Sequence, residues 1–267
     1  MLGRSLIMKA SGAIADGVLW TPAQITTALW LDAADPSTIT QSGGSVSLWN
    51  DKSGNSRHVG QVTAAKQPTY SATGLNSRPA IDFDGTSDVL KNASFQPAGA
   101  LSCFVVLNRD SAQGSIVNIQ RAGGVFELAG SFGGGYTNIT ITATGFMDPA
   151  LGFNIAASGV SQDMILGLQY DGNGSAASDF VARLNGASQI IVNSGIVGFA
   201  TETGFSVGGR PVQDLAYYNG RISEIVFIQN QVAISDVEKL EGYLAHKWGL
   251  AANLPSGHPY KNAAPTI

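Results

Sequence analysis

Charge is scarce in this chain of 267 residues: Asp, Glu, Lys and Arg together make up 13%, about half of the roughly 25% usual in soluble domains. Ser, Thr, Asn, Gln and Gly must therefore cover the surface, which suits an extracellular β-sandwich or a subunit packed against neighbours. Fifteen Lys and Arg stand against 19 Asp and Glu, a formal charge of −4, so nucleic-acid binding has no electrostatic ground. The single cysteine, Cys103, excludes an intramolecular disulfide, and inside the run Leu101–Leu107 it reads as a buried thiol. No stretch approaches about 18 apolar residues, so no membrane span is expected. His58, His246 and His258 are not read as members of a nucleophilic triad, and no His/Cys spacing suits zinc. Met1–Lys9 makes a poor signal peptide, because Lys9 interrupts the apolar run.

What the chain has in quantity is strand and turn chemistry. Hydrophobic residues reach 44% and glycine 33 positions, with a mean hydropathy of +0.10, so the chain folds and buries a core. Strands are predicted at Val46–Trp49, Ala80–Phe83, Leu101–Leu107, Ser115–Ile119, Val125–Leu128, Thr137–Ala143 and Gly152–Ala156. More are predicted at Met164–Tyr170, Phe180–Leu184, Ser188–Val192, Gly204–Val207 and Arg221–Ile228, with Gly/Asn/Asp clusters between them. Two helices are expected. Thr21-Pro22 starts a short one, ending near Thr27. Ser235 and Glu238 form a capping box for the second, whose stripe is Val237, Leu240, Leu244 and Trp248 and whose stop is Gly249. Residues 1–19 read as an edge strand or as an arm or extension that docks onto a partner through Leu6, Ile7, Met8 and Ile14, and residues 20–267 as one domain.

Trp30-Leu31-Asp32-Ala33-Ala34-Asp35, Trp49-Asn50-Asp51-Lys52-Ser53-Gly54-Asn55, Gln67-Pro68-Thr69-Tyr70 and Arg78-Pro79-Ala80-Ile81-Asp82-Phe83-Asp84-Gly85, with the closing Gly220–Trp248 segment, resemble a laminin-G-like jelly roll. Such domains belong to the concanavalin-A-like lectin and glucanase superfamily, found in bacterial surface proteins and bacteriophage virion proteins. The resemblance implies an all-β fold: an antiparallel β-sandwich with two sheets about 10 Å apart, a short N-terminal helix and a C-terminal helix.

The fold hosts many functions, so the residues must decide. Glycosidases need two carboxylates about 5–9 Å apart. The nearest match is Asp82 and Asp84, but Asp84-Gly85-Thr86 reads as a turn, Glu224 stands alone in its strand, and the superfamily's Glu-x-Asp-x-x-Glu pattern is missing. No catalytic residue and no enzyme is expected. The resemblance implies at most one structural calcium, which Asp171 and Asn173 would hold, with Asp51 or Asp88 as further oxygens; no other cofactor is expected. Aromatic candidates for stacking on a sugar are Tyr136, Trp20 and Tyr217. The sequons at Asn92, Asn138 and Asn173 read as accidental. The leading expectation is a non-catalytic structural, decoration or minor tail protein of a bacteriophage particle. It would sit in the virion as a homo-oligomer or multi-copy assembly with other virion or surface proteins. The alternative is a carbohydrate-binding host-attachment module that meets a cell-surface glycan, with the bacterial cell surface as the other location.

Overall fold

The computed structural model describes residues 17–97, 99–111, 114–121, 124–130, 139–143, 151–155, 160–172, 177–196, 204–210 and 214–267. The expected architecture is present: an antiparallel β-sandwich closed by one α-helix. The first layer is centred on Asn219–Ile228, which pairs along one side with Leu101–Arg109. Beyond that strand come Asp163–Tyr170, Phe180–Leu184 and Ala187–Gln189. On its other side Asn219–Ile228 is shared between Arg78–Asp84 and Leu29–Asp32, and Thr69–Leu75 follows Arg78–Asp84.

The second layer runs Ile39–Ser42, Ser45–Trp49, Val59–Gly60, Leu90–Asn92, Phe205–Val207 and Ser115–Arg121. It continues through Gly124–Gly130, Ile139–Ala143, Leu151–Ile155 and Ile191–Ile196. Among the described residues a single strand pairing, Ser45 with Thr69, joins the layers at one corner. Between them Phe205 meets Phe227 at 6.3 Å between ring centres, and Phe95 lies 5.6 and 5.7 Å from the two.

Every residue of Leu101–Arg109 is buried, as is Ile222–Ile228. A sheet with one wet face would alternate; these strands do not, because the terminal helix Ile234–Lys247 covers the face that points away from the second layer. Its stripe Val237, Leu240, Leu244 and Trp248 is fully buried, and each such side chain contributes about 1.5–3 kcal/mol. Gly249 ends the helix at φ +73°, a left-handed value that side chains with a Cβ resist.

Three sequence expectations need correction. The Ser235/Glu238 box does not form: Ala233 is the N-cap, without a side-chain cap, and Ser235 lies inside the first turn. Gln169 Nε2 donates to the Val232 carbonyl at 2.7 Å, which fixes the chain's entry ahead of Ser235. The first helix is a single 3₁₀ turn, Pro22–Gln24, capped by Thr21 and reciprocally by Gln24; it stops early because Ile25 is extended and the Ala28 N–H donates to Phe227 O at 2.7 Å. The strand expected at Ser188–Val192 breaks at Ile190, which is 77% exposed. At the N-terminus Leu19 bridges Thr266 and the Trp20 N–H donates to Pro265 O at 2.9 Å. Leu6, Ile7, Met8 and Ile14 lie outside the described residues.

Candidate functional site

A groove of about 560 Å³ opens where Asn219–Ile228 runs out and the helix begins. Its polar lining is Gln24, Asn55, Arg57, Gln229, Asn230 and Asp236, and Ile25, Ile228 and Val232 supply an apolar wall. The floor is rigid, because three donors converge on one carbonyl: Arg57 Nη1 reaches Ala28 O at 2.9 Å, Asn55 Nδ2 at 3.2 Å and Ser53 Oγ at 3.3 Å. The Arg57 guanidinium also lies 4.3 Å from the centre of the Phe95 ring, a cation–π contact that holds it flat. Below, the Asp51 carboxylate ties the loop together by accepting from the Trp30, Ser53 and Arg57 N–H groups at 2.9, 2.8 and 3.0 Å. The conspicuous Trp49–Asn55 motif is thus the brace of the groove.

Two other hollows differ in chemistry. One of about 540 Å³ beside Asn76, Gln162, Asp163, Asn185 and Asn253 has Leu250 as its one large apolar side chain. The other, about 280 Å³, lies between Leu19, Trp20, Tyr243 and Ala264 and is mostly apolar. The 560 Å³ groove alone among these three combines several fixed amides and a guanidinium with an apolar wall.

The acids are placed as follows. Glu224 has four partners rather than standing alone: Trp30 Nε1 and Tyr243 OH donate to Oε1 at 2.7 and 3.0 Å, and Trp248 Nε1 donates to Oε2 at 2.6 Å. Lys247 Nζ lies 2.7 Å from Glu224 and 2.7 Å from Asp32, and Lys52 joins Asp32 and Asp35 at 2.8 and 3.0 Å. Full burial raises the Glu224 pKa, with Lys247 opposing. This cluster bolts the helix to the opening and central strands. Its signal in sequence was weak, since Trp30 and Glu224 are 194 positions apart.

Asp82 and Asp84 share a strand but differ in environment. Burial raises Asp82, against Arg221. Asp84 also feels burial, but the Thr86 hydroxyl and the Ser87, Thr86 and Asp88 N–H groups hold it well below the usual range. Asp84 is the expected turn acid, accepting those three N–H groups at 2.9, 2.8 and 3.0 Å. Asp88 is pushed up to about 6, by burial and then by the Asp84 charge.

The proposed glycan aromatics are placed as follows. Trp20 is only 4% exposed and meets Tyr243 edge-on at 6.3 Å, because pairing with the C-terminal residues folds it inward; it offers no open face for a sugar. Tyr217 donates its hydroxyl to Asp214, and Tyr136 lies outside the described residues. For calcium, the Asp171 N–H donates to Asp179 O at 3.0 Å, while Asn173 lies outside the described residues. Asp51 is already engaged by backbone donors, and among the described residues no three His, Cys, Asp or Glu side chains gather as metal ligands. No helix among the described residues is long and apolar enough to cross a membrane.

The fold and groove define a β-sandwich with an open polar cleft at one end. No protein-family model matches the sequence, and no curated protein does either. Among solved structures the chain is similar to domain 4 of AbnA, a GH43 extracellular arabinanase from Geobacillus stearothermophilus solved with arabinotriose. The TM-score is 0.53 at 10% identity, covering 81% of this chain and 98% of that one. Trypanosoma rangeli sialidase in complex with sialic acid aligns at TM-score 0.48 and 11% identity over 83% of this chain and 33% of that one. The receptor-binding domain of botulinum neurotoxin D aligns at 0.48 and 13% over 81% and 52%. The chain thus spans a third to about half of these last two.

The arabinanase likeness overturns one expectation from sequence. A domain of a glycoside hydrolase carries this fold, so the missing strand-borne acid motif is no ground for classing the chain as a non-enzyme.

Proposed function

We propose that this chain is a carbohydrate-binding β-sandwich and that the groove between Gln24, Arg57 and Asp236 takes an oligosaccharide. One observation carries the reading: polar side chains at fixed positions beside an apolar wall. Sugars present hydroxyls that need donors and acceptors in set directions, together with C–H faces that prefer apolar contact. Asn55 and Arg57 are held by Ala28 O, so little conformational entropy is lost when a ligand arrives. The similarity to an arabinanase domain solved with arabinotriose supports the same reading and makes arabino-oligosaccharides the first ligands to try.

The bacteriophage placement rests on low charge and composition, and the comparisons add nothing to it; co-sedimentation with particles tests it separately. The binding reading is tested on a glycan array, with hits followed by calorimetry on the native chain and on Gln229→Ala and Asp236→Asn, and with every hit incubated to look for cleavage products. Binding that weakens in both variants supports the groove. Binding that survives unchanged in both removes it.

A further inference from the structure

We propose that the apolar hollow between Trp20 and Tyr243 seats the chain's own N-terminal segment, taking side chains of the cluster Leu6-Ile7-Met8. This does not rest on the glycan reading.

The hollow measures about 280 Å³, ample beside the roughly 150 Å³ in which an apolar cavity holds benzene. Its two basic lining residues have their polar atoms engaged: His246 Nε2 lies 2.8 Å from Tyr260 O, and Lys247 Nζ sits between Asp32 and Glu224. What faces an occupant is the hydrocarbon of Leu19, Tyr243 and Ala264, with Trp20 buried beneath them.

Apolar surface continues outside the hollow. Val18, Leu19 and Ile267 are 71%, 61% and 71% exposed, and the Ile267 N–H donates to Val18 O at 2.9 Å, so the three belong to one paired ribbon. Adjoining apolar groups of this size mark a contact surface rather than a wet one.

The occupant follows from position and reach. The hollow is walled by Leu19 and Trp20, so Gly17, to which the segment is joined, lies only two residues along the chain from its wall. Met8 is nine residues before Gly17, a span of about 30 Å when extended, enough to turn back at Gly12 or Gly17 and return. A tether this short holds its own end at about millimolar effective concentration, so the segment of the same molecule outcompetes that of a second copy in dilute solution.

The test uses the full chain carrying Met8→Cys with Ala264→Cys, compared with Met8→Cys and Asn262→Cys, at low micromolar concentration under mild oxidation. A disulfide needs Cα atoms within about 7 Å, so seating favours the Ala264 partner over its exposed neighbour; buried Cys103 does not compete. Monomeric disulfide forming at least ten times faster with Ala264→Cys is the expected result. Equal rates, or crosslinks between molecules only, would overturn the proposal. A second variant, Leu6→Ser/Ile7→Ser/Met8→Ser, is expected to raise binding of an apolar dye severalfold with unchanged circular dichroism. No rise would count against seating.

Discussion

Trp248 Nε1 donates to Glu224 Oε2 at 2.6 Å, and that one bond joins the last turn of the helix to the central strand. Trp30, Tyr243 and Lys247 complete the shell around the same carboxylate. Removing the acid strands two indole N–H groups in a buried site and leaves the Lys247 ammonium with Asp32 alone as its counter-charge. Breaking a buried ion pair costs about 3–5 kcal/mol. Glu224→Ala is therefore expected to lower unfolding free energy by that amount in urea titration, and a loss under about 1 kcal/mol would show that the cluster does not bolt the helix down.

Gly220 tests the close approach of the central strands. Its φ is +147°, and a Cβ there would stand 2.2 Å from Asn108 O, a backbone atom that has no rotamer by which to yield. Gly220→Ala is expected to cost several kcal/mol, beyond the roughly 1 kcal/mol of an ordinary strained glycine site. A melting temperature within a degree or two of the native value would contradict the tight ladder between Leu101–Arg109 and Asn219–Ile228.

Asp88 gives a pH signature. Its folded pKa is raised to about 6 from an unfolded value near 3.9, so between those values the folded state binds more protons than the unfolded. The contribution is present below about pH 4 and is lost as pH rises through about 6. Asp88→Asn should therefore be more stable than the native chain at pH 7.5, by under about 1 kcal/mol after solvent screening, with the gap closing by pH 4. Thermal melts at the two pH values read it, and a gap of the opposite sign would refute the assignment.

Burial pushes the Cys103 thiol up to about 12, leaving almost no thiolate at neutral pH, and thiolate is the reactive form. Native protein is expected to resist iodoacetamide for hours at pH 8 and to react at once in urea. Rapid alkylation without denaturant would place Cys103 outside the core.

The strands and the helix were readable because their signals are local. Val237, Leu240, Leu244 and Trp248 keep a helical period, and Gly249 marks where it stops. Leu101–Arg109 announced itself as an unbroken apolar run, although the reason it need not alternate is the helix, which lies more than 120 positions further on. The helix start was misplaced because Ser235 matches a local pattern, while the contact that sets the entry, Gln169 to Val232 O, is long-range. Glu224 looked isolated for the same reason. The groove was not legible: Gln24, the pair Asn55 and Arg57, and Gln229 come from three segments, and the one motif among them, Trp49–Asn55, carries no sign of the other two segments. Trp20 carries no sign in sequence that pairing with the C-terminal residues turns it inward.

The most direct test of the carbohydrate reading is amide chemical-shift mapping on the native chain with an oligosaccharide that scores on the array. The account predicts saturable shifts confined to the backbone around Gln24–Ala28, Asn55–Arg57 and Gln229–Asp236. Shifts that avoid all three segments, or no array ligand at all, would contradict it.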